Sequence, residues 1–366
     1  MITLRSLGPG ELRLLRRLVI DPSHRQAKIA DELDVTRSAI NQIWHKLQTD
    51  FHVDIRSNLD YGKLGLGLIF GWAQDTENSE VLVKFSRWLH TNPFVTRLTR
   101  SVMSSTMDAR IYFEAVLPMR NQYAWFQSQI TRFRKRPYSL GMNVEVASNV
   151  SHHMNLGLFD GSSWSFSHDF RLEASIGAAR DYVSVLPDVD SVKQSETSNA
   201  PLVDLVIAAA IESNYHATAS EVKMKLNELG LESLAGRTLR RRLARLRNIL
   251  TLPYVNIKDI GLDQKLMVCV KDESSQESIT SRLLNAQASS FPKARVLSGK
   301  TLTVLDLETP LTVDWLTMSQ ILSGLVGNTS EICTFIANNP EIEKRLESVV
   351  SHLASRMSSK NDSHRR

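Results

Sequence analysis

Apolar residues recur at helical spacing in three segments near the start of the chain. Residues 8–19, 25–35 and 36–51 predict three helices, and Thr36 is a good N-cap for the third. Residues 53–59 alternate between apolar and polar side chains and predict a strand. Three helices with a tight turn before the third, followed by a strand pair, are typical of a winged helix-turn-helix.

The pattern then changes to alternating strands and helices. Strand-like runs lie at 61–72, 94–102, 109–117 and 139–150, with helical stripes at 79–90 and 121–136. The resulting order β-α-β-β-α-β is that of a ferredoxin-like sheet. The next residues, 151–183, are less regular and indicate a hairpin through 155–167 and a helix near 172–183.

The same order of elements begins again in the second half of the chain. Three apolar positions of the third helix have counterparts at an offset of 199: Ile40, Trp44 and Leu47 against Leu239, Leu243 and Leu246. Four positions after it have counterparts at an offset of 202: Val53, Ile55, Lys63 and Leu64 against Val255, Ile257, Lys265 and Leu266. We interpret these matches as an internal repeat.

The sequence therefore predicts an α+β protein with two winged helix-turn-helix domains, each followed by a β-α-β-β-α-β ferredoxin-like domain. The predicted divisions are a first helix-turn-helix domain at 1–60, a ferredoxin-like domain with an extension at 61–183, a polar linker at 184–201, a second helix-turn-helix domain at 202–260, a second ferredoxin-like domain at 261–340, and a C-terminal helix and tail at 341–366.

Composition excludes several classes of protein. No apolar run is long enough to span a membrane, and the N-terminus lacks the apolar core of a secretory signal. Two cysteines, Cys269 and Cys333, exclude a disulfide scaffold and fit a reducing cytoplasm. The spacing of His152, His153 and His168 fits no zinc pattern, and no phosphate loop or nucleophile elbow occurs. We expect no metal, no cofactor and no enzyme activity.

The strongest local charge pattern lies in the predicted third helix of the second unit. Between Gly236 and Leu250 this helix carries six arginines and no acid, and four of them are candidate DNA contacts: Arg237, Arg240, Arg241 and Arg245. Arginines of this kind bind phosphates and the edges of guanine. The alternative interpretation is a solvated basic face that pairs with acids on other elements.

The corresponding helix of the first unit has a polar outer face. Its candidate DNA contacts are Arg37, Ser38, Asn41, Gln42 and His45. Asn and Gln can read adenine, and Ser or Arg can hold phosphates; the alternative is an ordinary polar surface. A separate basic run at 131–138, TRFRKRPY, ends a predicted helix. It either complements the helix dipole or makes a flanking phosphate contact.

The segment AKIADELDVTRSAINQIWHKL and the following DYGKLGLGLIF resemble the Lrp/AsnC (feast/famine) regulators. The resemblance covers nearly the whole chain in two copies, whereas family members usually carry one. It implies a transcriptional regulator that binds double-stranded DNA in a sequence-specific way. It also implies a small-molecule effector, whose identity the sequence does not give, and association of the chain with copies of itself. Two copies in one chain imply a single-chain pseudo-dimer.

The tandem architecture also resembles the siroheme decarboxylases, which use this fold for tetrapyrrole chemistry. Those enzymes carry a His-containing motif on the second strand of the sheet, and the matching residues here, 94–105, contain no His. The regulator is therefore the leading hypothesis and a siroheme-decarboxylase-like enzyme is the alternative. A module that binds an acidic protein through the basic faces is a third hypothesis.

Overall fold

The computed structural model has the predicted fold class, an α+β protein in which one order of elements occurs twice. It describes residues 6–75, 79–104, 108–166, 200–232, 234–272, 279–324 and 330–363. The helix predicted near 172–183 and most of the predicted linker lie outside the described residues. No helix in the described ranges combines the length and the apolar character that crossing a bilayer requires.

Each unit begins with three helices. The first unit has α1 (Pro9–Ile20), α2 (Gln26–Leu33) and α3 (Arg37–Phe51), and the second has α6 (Leu202–Ser213), α7 (Ala219–Glu228) and α8 (Gly236–Leu250). The Thr36 hydroxyl accepts a hydrogen bond from the backbone N–H of Ala39 at 3.2 Å, which confirms the predicted N-cap. The turn before α3 contains Asp34 in the left-handed conformation, with φ of 54°. Helices α3 and α8 begin 199 residues apart, as the apolar matches predict.

The wing strands pair between the two units. β1 (Asp54–Leu59) and β7 (Thr251–Asn256) form an antiparallel two-stranded ribbon, in which Asp54 lies opposite Asn256 and Leu59 opposite Thr251. The prediction of a strand pair inside each helix-turn-helix domain is therefore wrong. Each unit supplies one strand, because the strand that follows it in the chain joins the large sheet instead.

The offset of 202 residues that the sequence predicts between corresponding strands of the two units is also wrong. β1 and β7 begin 197 residues apart. Lys63 and Leu64 lie in a short 3-10 helix, Tyr61–Leu64, whereas Lys265 and Leu266 lie inside a strand of the sheet. The matched residue types therefore lie in different secondary structures and are not structurally equivalent.

The two ferredoxin-like units form one curled antiparallel sheet. The first contributes β2 (Leu66–Asp75), α4 (Ser79–Thr91), β3 (Val95–Ser104), β4 (Ala109–Pro118), α5 (Asn121–Arg134), β5 (Gly141–Val146) and β6 (Asn149–Met154). The second contributes β8 (Gln264–Asp272), α9 (Ile279–Ala288), β9 (Lys293–Ser298), β10 (Leu302–Thr309), α10 (Trp315–Gly324), β11 (Ser330–Ala337), β12 (Ile342–Glu343) and α11 (Leu346–Ser363). The strand order is β5-β2-β4-β3-β11-β8-β10-β9-β6, and β12 pairs with β3.

Both ends of this strand order come from one stretch of chain. The segment 139–150, predicted as one strand, is divided between β5, which pairs with β2, and β6, which pairs with β9 of the other unit. Between them, the N–H of Ala147 donates to the Leu68 carbonyl and the N–H of Ser148 donates to the Ser298 carbonyl, both at 2.7 Å. The sheet therefore curls and encloses space between the two units.

In each unit, the segment that follows the sheet strands packs against a helix-turn-helix domain. Residues 155–166 form the predicted hairpin in part, through a bridge between Phe159 and Trp164, and the Trp164 indole N–H donates to the Ile260 carbonyl at 2.6 Å. The helix predicted from residue 340 begins only at Leu346, because the residues of β12 extend the sheet along β3. Leu346, at the start of α11, lies in the same buried core as the apolar residues of α6.

Candidate functional site

A cavity of about 580 Å³ lies between the β1–β7 ribbon and the curled sheet. Its walls come from the ribbon, from sheet strands of both units, from the C-terminal ends of α1 and α6, and from the start of α11. The size falls in the range of small-molecule sites, which is roughly 300–1,000 Å³. Both repeats supply lining residues, so the cavity exists only because the two units are joined.

Four charged residues hold the two units together at this cavity. Arg97 lies opposite Glu114 in the β3–β4 pair, and Arg295 lies opposite Asp306 in the β9–β10 pair. The ion pairs cross between the units: Arg97 contacts Asp306 at 2.5 Å, and Arg295 contacts Glu114 through two nitrogens at 2.5 and 2.8 Å. Each arginine is thus neutralised by the other unit's acid, and we call these four residues the crossed quartet.

The acids of the crossed quartet remain ionised. Burial alone would raise the pKa of Glu114, but the charge and hydrogen bonds of Arg295, with help from Arg97, lower it below its ordinary value. Burial opposes ionisation of Asp306 in the same way, and Arg97 lowers the pKa of that carboxyl. The quartet is therefore neutral as a set, and neither acid is suited to donate a proton near neutral pH.

A first basic cluster is carried by strands of the second unit. Glu308 on β10 lies opposite both Lys265 on β8 and Lys293 on β9. The Lys293 ammonium contacts Glu308 at 2.7 Å and donates to the Ile257 carbonyl at 3.2 Å. Lys258, just beyond β7, also lines the cavity. Three lysines thus accompany one carboxylate, and we call Lys258, Lys265 and Lys293 the lysine cluster.

A second basic cluster lies where the ribbon meets α11. Arg56 on β1 contacts Asp54 at 2.8 Å, and Arg345 approaches the same carboxylate at 3.9 Å. Lys344, next in the chain to Arg345, is exposed and lines the cavity as well. Over all the described lining residues, eight Lys and Arg side chains accompany five Asp and Glu side chains, so the cavity attracts anions.

Two histidines on β6 line the same cavity. His152 stacks on Tyr254 with ring centroids 3.8 Å apart and planes inclined by 9°. Burial, reinforced by Arg295 and Lys293, lowers the pKa of His152 well below its ordinary value, so the ring is neutral at physiological pH. Burial also lowers the pKa of His153, whose Nε2 lies 3.0 Å from the Ser151 hydroxyl.

Sequence reasoning considered these histidines only as metal ligands. Their place in the cavity depends on β6 crossing to β9, where His152 lies opposite Arg295, and no local pattern reveals that pairing. His168 lies outside the described residues. Within the described ranges, no three His, Cys, Asp or Glu side chains form a group that could hold a metal ion.

Glu212, near the end of α6, is the cavity's protonatable carboxylate. The Tyr61 hydroxyl donates to it at 2.6 Å, and the backbone N–H of Leu346 donates at 2.8 Å. Burial raises the pKa of Glu212 despite these hydrogen bonds. Burial, the Glu212 charge and this hydrogen bond likewise raise the pKa of Tyr61 well above its ordinary value. Glu212 therefore retains a proton at higher pH than an ordinary glutamate.

Replacing Glu212 with glutamine is expected to stabilise the fold at high pH. A carboxyl whose folded pKa is raised gives its full stability below the unfolded pKa and loses it as pH rises through the folded pKa. The unfolding midpoint in urea should therefore match wild type near pH 4 and exceed it at pH 8. Glu347→Gln, at an exposed site on α11, is the control. A Glu212→Gln midpoint below wild type at pH 8 would contradict the buried-carboxylate assignment.

Three buried polar atoms around the cavity have neither a hydrogen bond nor an ion-pair contact among the described residues: Ser57 Oγ, Asn256 Nδ2 and Asp306 Oδ1. Buried polar groups in native proteins are nearly always hydrogen-bonded. Ser57 and Asn256 lie on the two strands of the ribbon, and Asp306 lies in the crossed quartet. These atoms are available to a molecule that occupies the cavity, and they mark it as a binding site.

The predicted DNA-contact residues lie apart from this cavity lining. All of them are exposed on α3 and α8: Arg37, Ser38, Asn41, Gln42 and His45 on the first, and Arg237, Arg240, Arg241 and Arg245 on the second. On α8, however, Asp204 of α6 contacts Arg242 at 3.1 Å and Arg245 at 3.6 Å. The sequence showed no acid on the helix itself, and the neutralising acid comes from another helix. DNA contact by these residues stays a prediction.

The fold is thus a tandem of two winged helix-turn-helix and ferredoxin-like units, and solved structures with a similar organisation are known. A siroheme decarboxylase, NirDL, in complex with an iron-uroporphyrin III analogue is 11% identical, with 95% of this chain and 99% of that chain covered and a TM-score of 0.47. A second structure of NirDL gives 11% identity, the same coverage and a TM-score of 0.45. PH0061 is 20% identical over 40% of this chain and 96% of its own, with a TM-score of 0.27. No protein-family model and no curated protein matches the sequence.

Proposed function

We propose that this protein binds a small molecule with several carboxylate groups in the central cavity. The observation that supports this most directly is the excess of Lys and Arg in the cavity lining, eight against five acids. Hydrogen bonds between ionised groups are about twice as strong as neutral ones, and they gain further in a partly desolvated site. The lysine cluster and the pair Arg56 and Arg345 would each hold carboxylates of the bound molecule.

A planar tetrapyrrole with acetate and propionate side chains is the ligand that suits these features. The stacked rings of His152 and Tyr254 offer a flat surface in the lining. The volume of about 580 Å³ suits a large ligand. Ser57 and Asn256 provide unsatisfied polar atoms at the ribbon. Siroheme is therefore the substrate that we propose, and the alternative hypothesis of the sequence analysis becomes the leading one.

The reaction that we propose is decarboxylation of an acetate side chain. Cleavage of the bond between the side-chain carbon and the carboxyl carbon releases CO₂ and leaves an electron pair on that carbon, which must take up a proton. Glu212 is suited to supply it, because burial raises its pKa. The carboxylate is then reprotonated from solvent. Arg56 and Arg345 would hold neighbouring carboxylates in place while this bond breaks.

Incubation with siroheme under reducing conditions tests both parts of this proposal. A saturable change in visible absorption supports binding, and loss of CO₂ from the tetrapyrrole by mass spectrometry supports the reaction. Binding without loss of CO₂ would overturn decarboxylation and leave a ligand-sensing protein. The absence of saturable binding at micromolar concentrations would overturn the cavity assignment.

DNA binding is the second candidate function, and exposed arginines on α8 favour it. Arg237, Arg240 and Arg241 are exposed, and none has a carboxylate within 4 Å in the part of the chain that the structure describes. They form a smaller basic face than the sequence suggested, because Asp204 contacts Arg242 and Arg245. The remaining charges are still sufficient for several phosphate contacts. Under this hypothesis the cavity holds the effector of a regulator.

Replacing Arg237, Arg240 and Arg241 with alanine is expected to flatten the salt dependence of duplex DNA binding. Each lost phosphate contact removes about 0.9 from the slope of log K against log salt, so the slope should change by about two to three units. Fluorescence anisotropy over a range of salt concentrations measures this. The variant Lys271→Ala with Lys300→Ala, on the second sheet unit, is the control. An unchanged slope would assign these arginines to an ordinary solvated surface.

A further inference from the structure

The outer helices of the first sheet unit carry an unusual excess of positive charge. Helix α5 contains no acidic residue, and Glu80 is the acid of α4. Six Lys and Arg side chains are exposed on these helices and just after α5. One of them, Arg134, donates to the Met142 carbonyl at 3.4 Å, and the other five accompany one large aromatic ring. We call these five cations and this ring the α4–α5 face: Lys84, Arg87, Trp125, Arg132, Lys135 and Arg136.

Ring contacts show that α4 and α5, the two helices that carry this face, pack side by side. Phe85 of α4 packs on Phe133 of α5 at 5.0 Å, and Trp88 of α4 packs on Trp125 of α5 at 6.2 Å. The two helices therefore run antiparallel, with Trp125 beside the C-terminal part of α4. From Trp125 to Lys135 the face extends about 15 Å, at 1.5 Å per residue. Trp125 is 46% exposed although it is among the largest apolar side chains.

The charges of this face are largely unneutralised. Within the described residues, Lys84 contacts Glu80 at 3.4 Å, with both side chains exposed, and no carboxylate lies within 4 Å of the other four cations. Arg132 instead lies over the Tyr138 ring at 5.8 Å. This charge is not a requirement of the fold, because the corresponding helices of the second unit, α9 and α10, contain one arginine and no lysine.

We propose that the α4–α5 face binds single-stranded nucleic acid. The cations contact successive phosphates, and Trp125 stacks on an unpaired base, which is the combination that single-strand binding surfaces use. Duplex DNA keeps its bases stacked and gives Trp125 no partner. A second copy of the same face is disfavoured because its cations repel. This site is independent of the cavity and of α3 and α8.

Binding of a labelled oligothymidine to the full chain tests this proposal. Trp125→Ala should weaken binding about ten-fold, since a stacked base contributes about 1–3 kcal/mol. Trp125→Phe, which keeps an aromatic ring, should retain most of the affinity. Arg132→Ala with Lys135→Ala should flatten the salt slope by about 1.4 units, at about 0.7 per single-strand phosphate. The double alanine variant of Lys271 and Lys300 removes the same charge from the other unit and should behave as wild type.

Four results would contradict the proposal. One is that Trp125→Ala and the Arg132/Lys135 variant bind oligothymidine as the control does. Another is that polyglutamate binds as tightly as oligothymidine with no dependence on Trp125, which would identify an acidic protein as the partner. The third is that these variants change the sedimentation coefficient of the free protein, which would make the face a contact between copies of this chain. Loss of oligothymidine binding on replacing Arg237 and Arg241 would also count against it.

Discussion

Replacing Arg295 with methionine is expected to lower the free energy of unfolding by about 3–5 kcal/mol. The substitution leaves Glu114, which is 3% exposed, as a buried charge without the two hydrogen bonds that Arg295 donates, and among the described residues only the Tyr112 hydroxyl still donates to it, at 2.8 Å. Arg97 lies 3.6 Å from the same carboxylate and compensates in part, so we expect the lower end of this range. Urea unfolding at pH 7 measures the change.

An exposed ion pair provides the matched control. Lys84→Met breaks the contact with Glu80, in which both side chains are more than half exposed, and should cost less than about 1 kcal/mol. Arg295→Met combined with Glu114→Leu should recover most of the lost stability, because two apolar side chains replace the pair. Equal losses for Arg295→Met and Lys84→Met would contradict the role of the crossed quartet in joining the units.

The loss of unfolding free energy caused by Arg295→Met should also depend on pH. Arg295 lowers the folded pKa of Glu114, so the pair contributes stability above the unfolded pKa of glutamate, near 4.5, and loses it as pH falls through the lowered folded pKa. The difference in unfolding free energy between wild type and Arg295→Met should therefore be largest near neutral pH and shrink below about pH 4.5.

Replacing Lys265 or Arg345 with methionine is expected to weaken binding of a polycarboxylate ligand by about 10–100-fold. A hydrogen bond to a charged group contributes about 1.5–3 kcal/mol, and each tenfold change in affinity is about 1.4 kcal/mol. No carboxylate lies within 4 Å of Lys265 among the described residues, and Arg345 meets Asp54 only at 3.9 Å. Methionine removes the charge and keeps an unbranched, flexible chain, which is close to lysine in length and shorter than arginine.

Methionine replacements at Lys271 and Lys300 are the matched controls for this prediction. Both residues lie on the second sheet unit outside the cavity lining, and they change the net charge of the protein by the same amount. If all four variants weakened binding equally, attraction would come from the overall charge, and specific contacts in the cavity would be contradicted. Isothermal titration calorimetry at two salt concentrations separates the two cases.

The fold class was predictable because its signals are local. The helices have strong apolar stripes and clear caps, as Thr36 shows for α3, and a repeat in the order of elements is visible without tertiary information. What could not be predicted is how the repeats join. The pairing of β1 with β7, and of β6 with β9, depends on packing between residues about one to two hundred positions apart. No short-range pattern specifies such register.

The cavity was missed for the same reason. Its charged residues are isolated in the sequence: Arg97, Glu114, Arg295 and Asp306 occur on four different strands and resemble ordinary strand residues. The arginines of α8, by contrast, form a conspicuous run, although Asp204 contacts two of them in the fold. A local excess of charge was easy to see, while the convergence of separate charges on one cavity required the structure.

The most direct test of the central claim is a calorimetric titration of the full chain with siroheme, beside the same tetrapyrrole with its carboxylates esterified. Both ligands share the planar ring, and only the first carries the negative charges that the lysine cluster, Arg56 and Arg345 would bind. We expect one saturable site for siroheme and an affinity at least about a hundred-fold lower for the ester, which corresponds to the loss of one or two charged hydrogen bonds. Equal affinities, or no saturable binding of siroheme, would contradict a polycarboxylate site in the cavity.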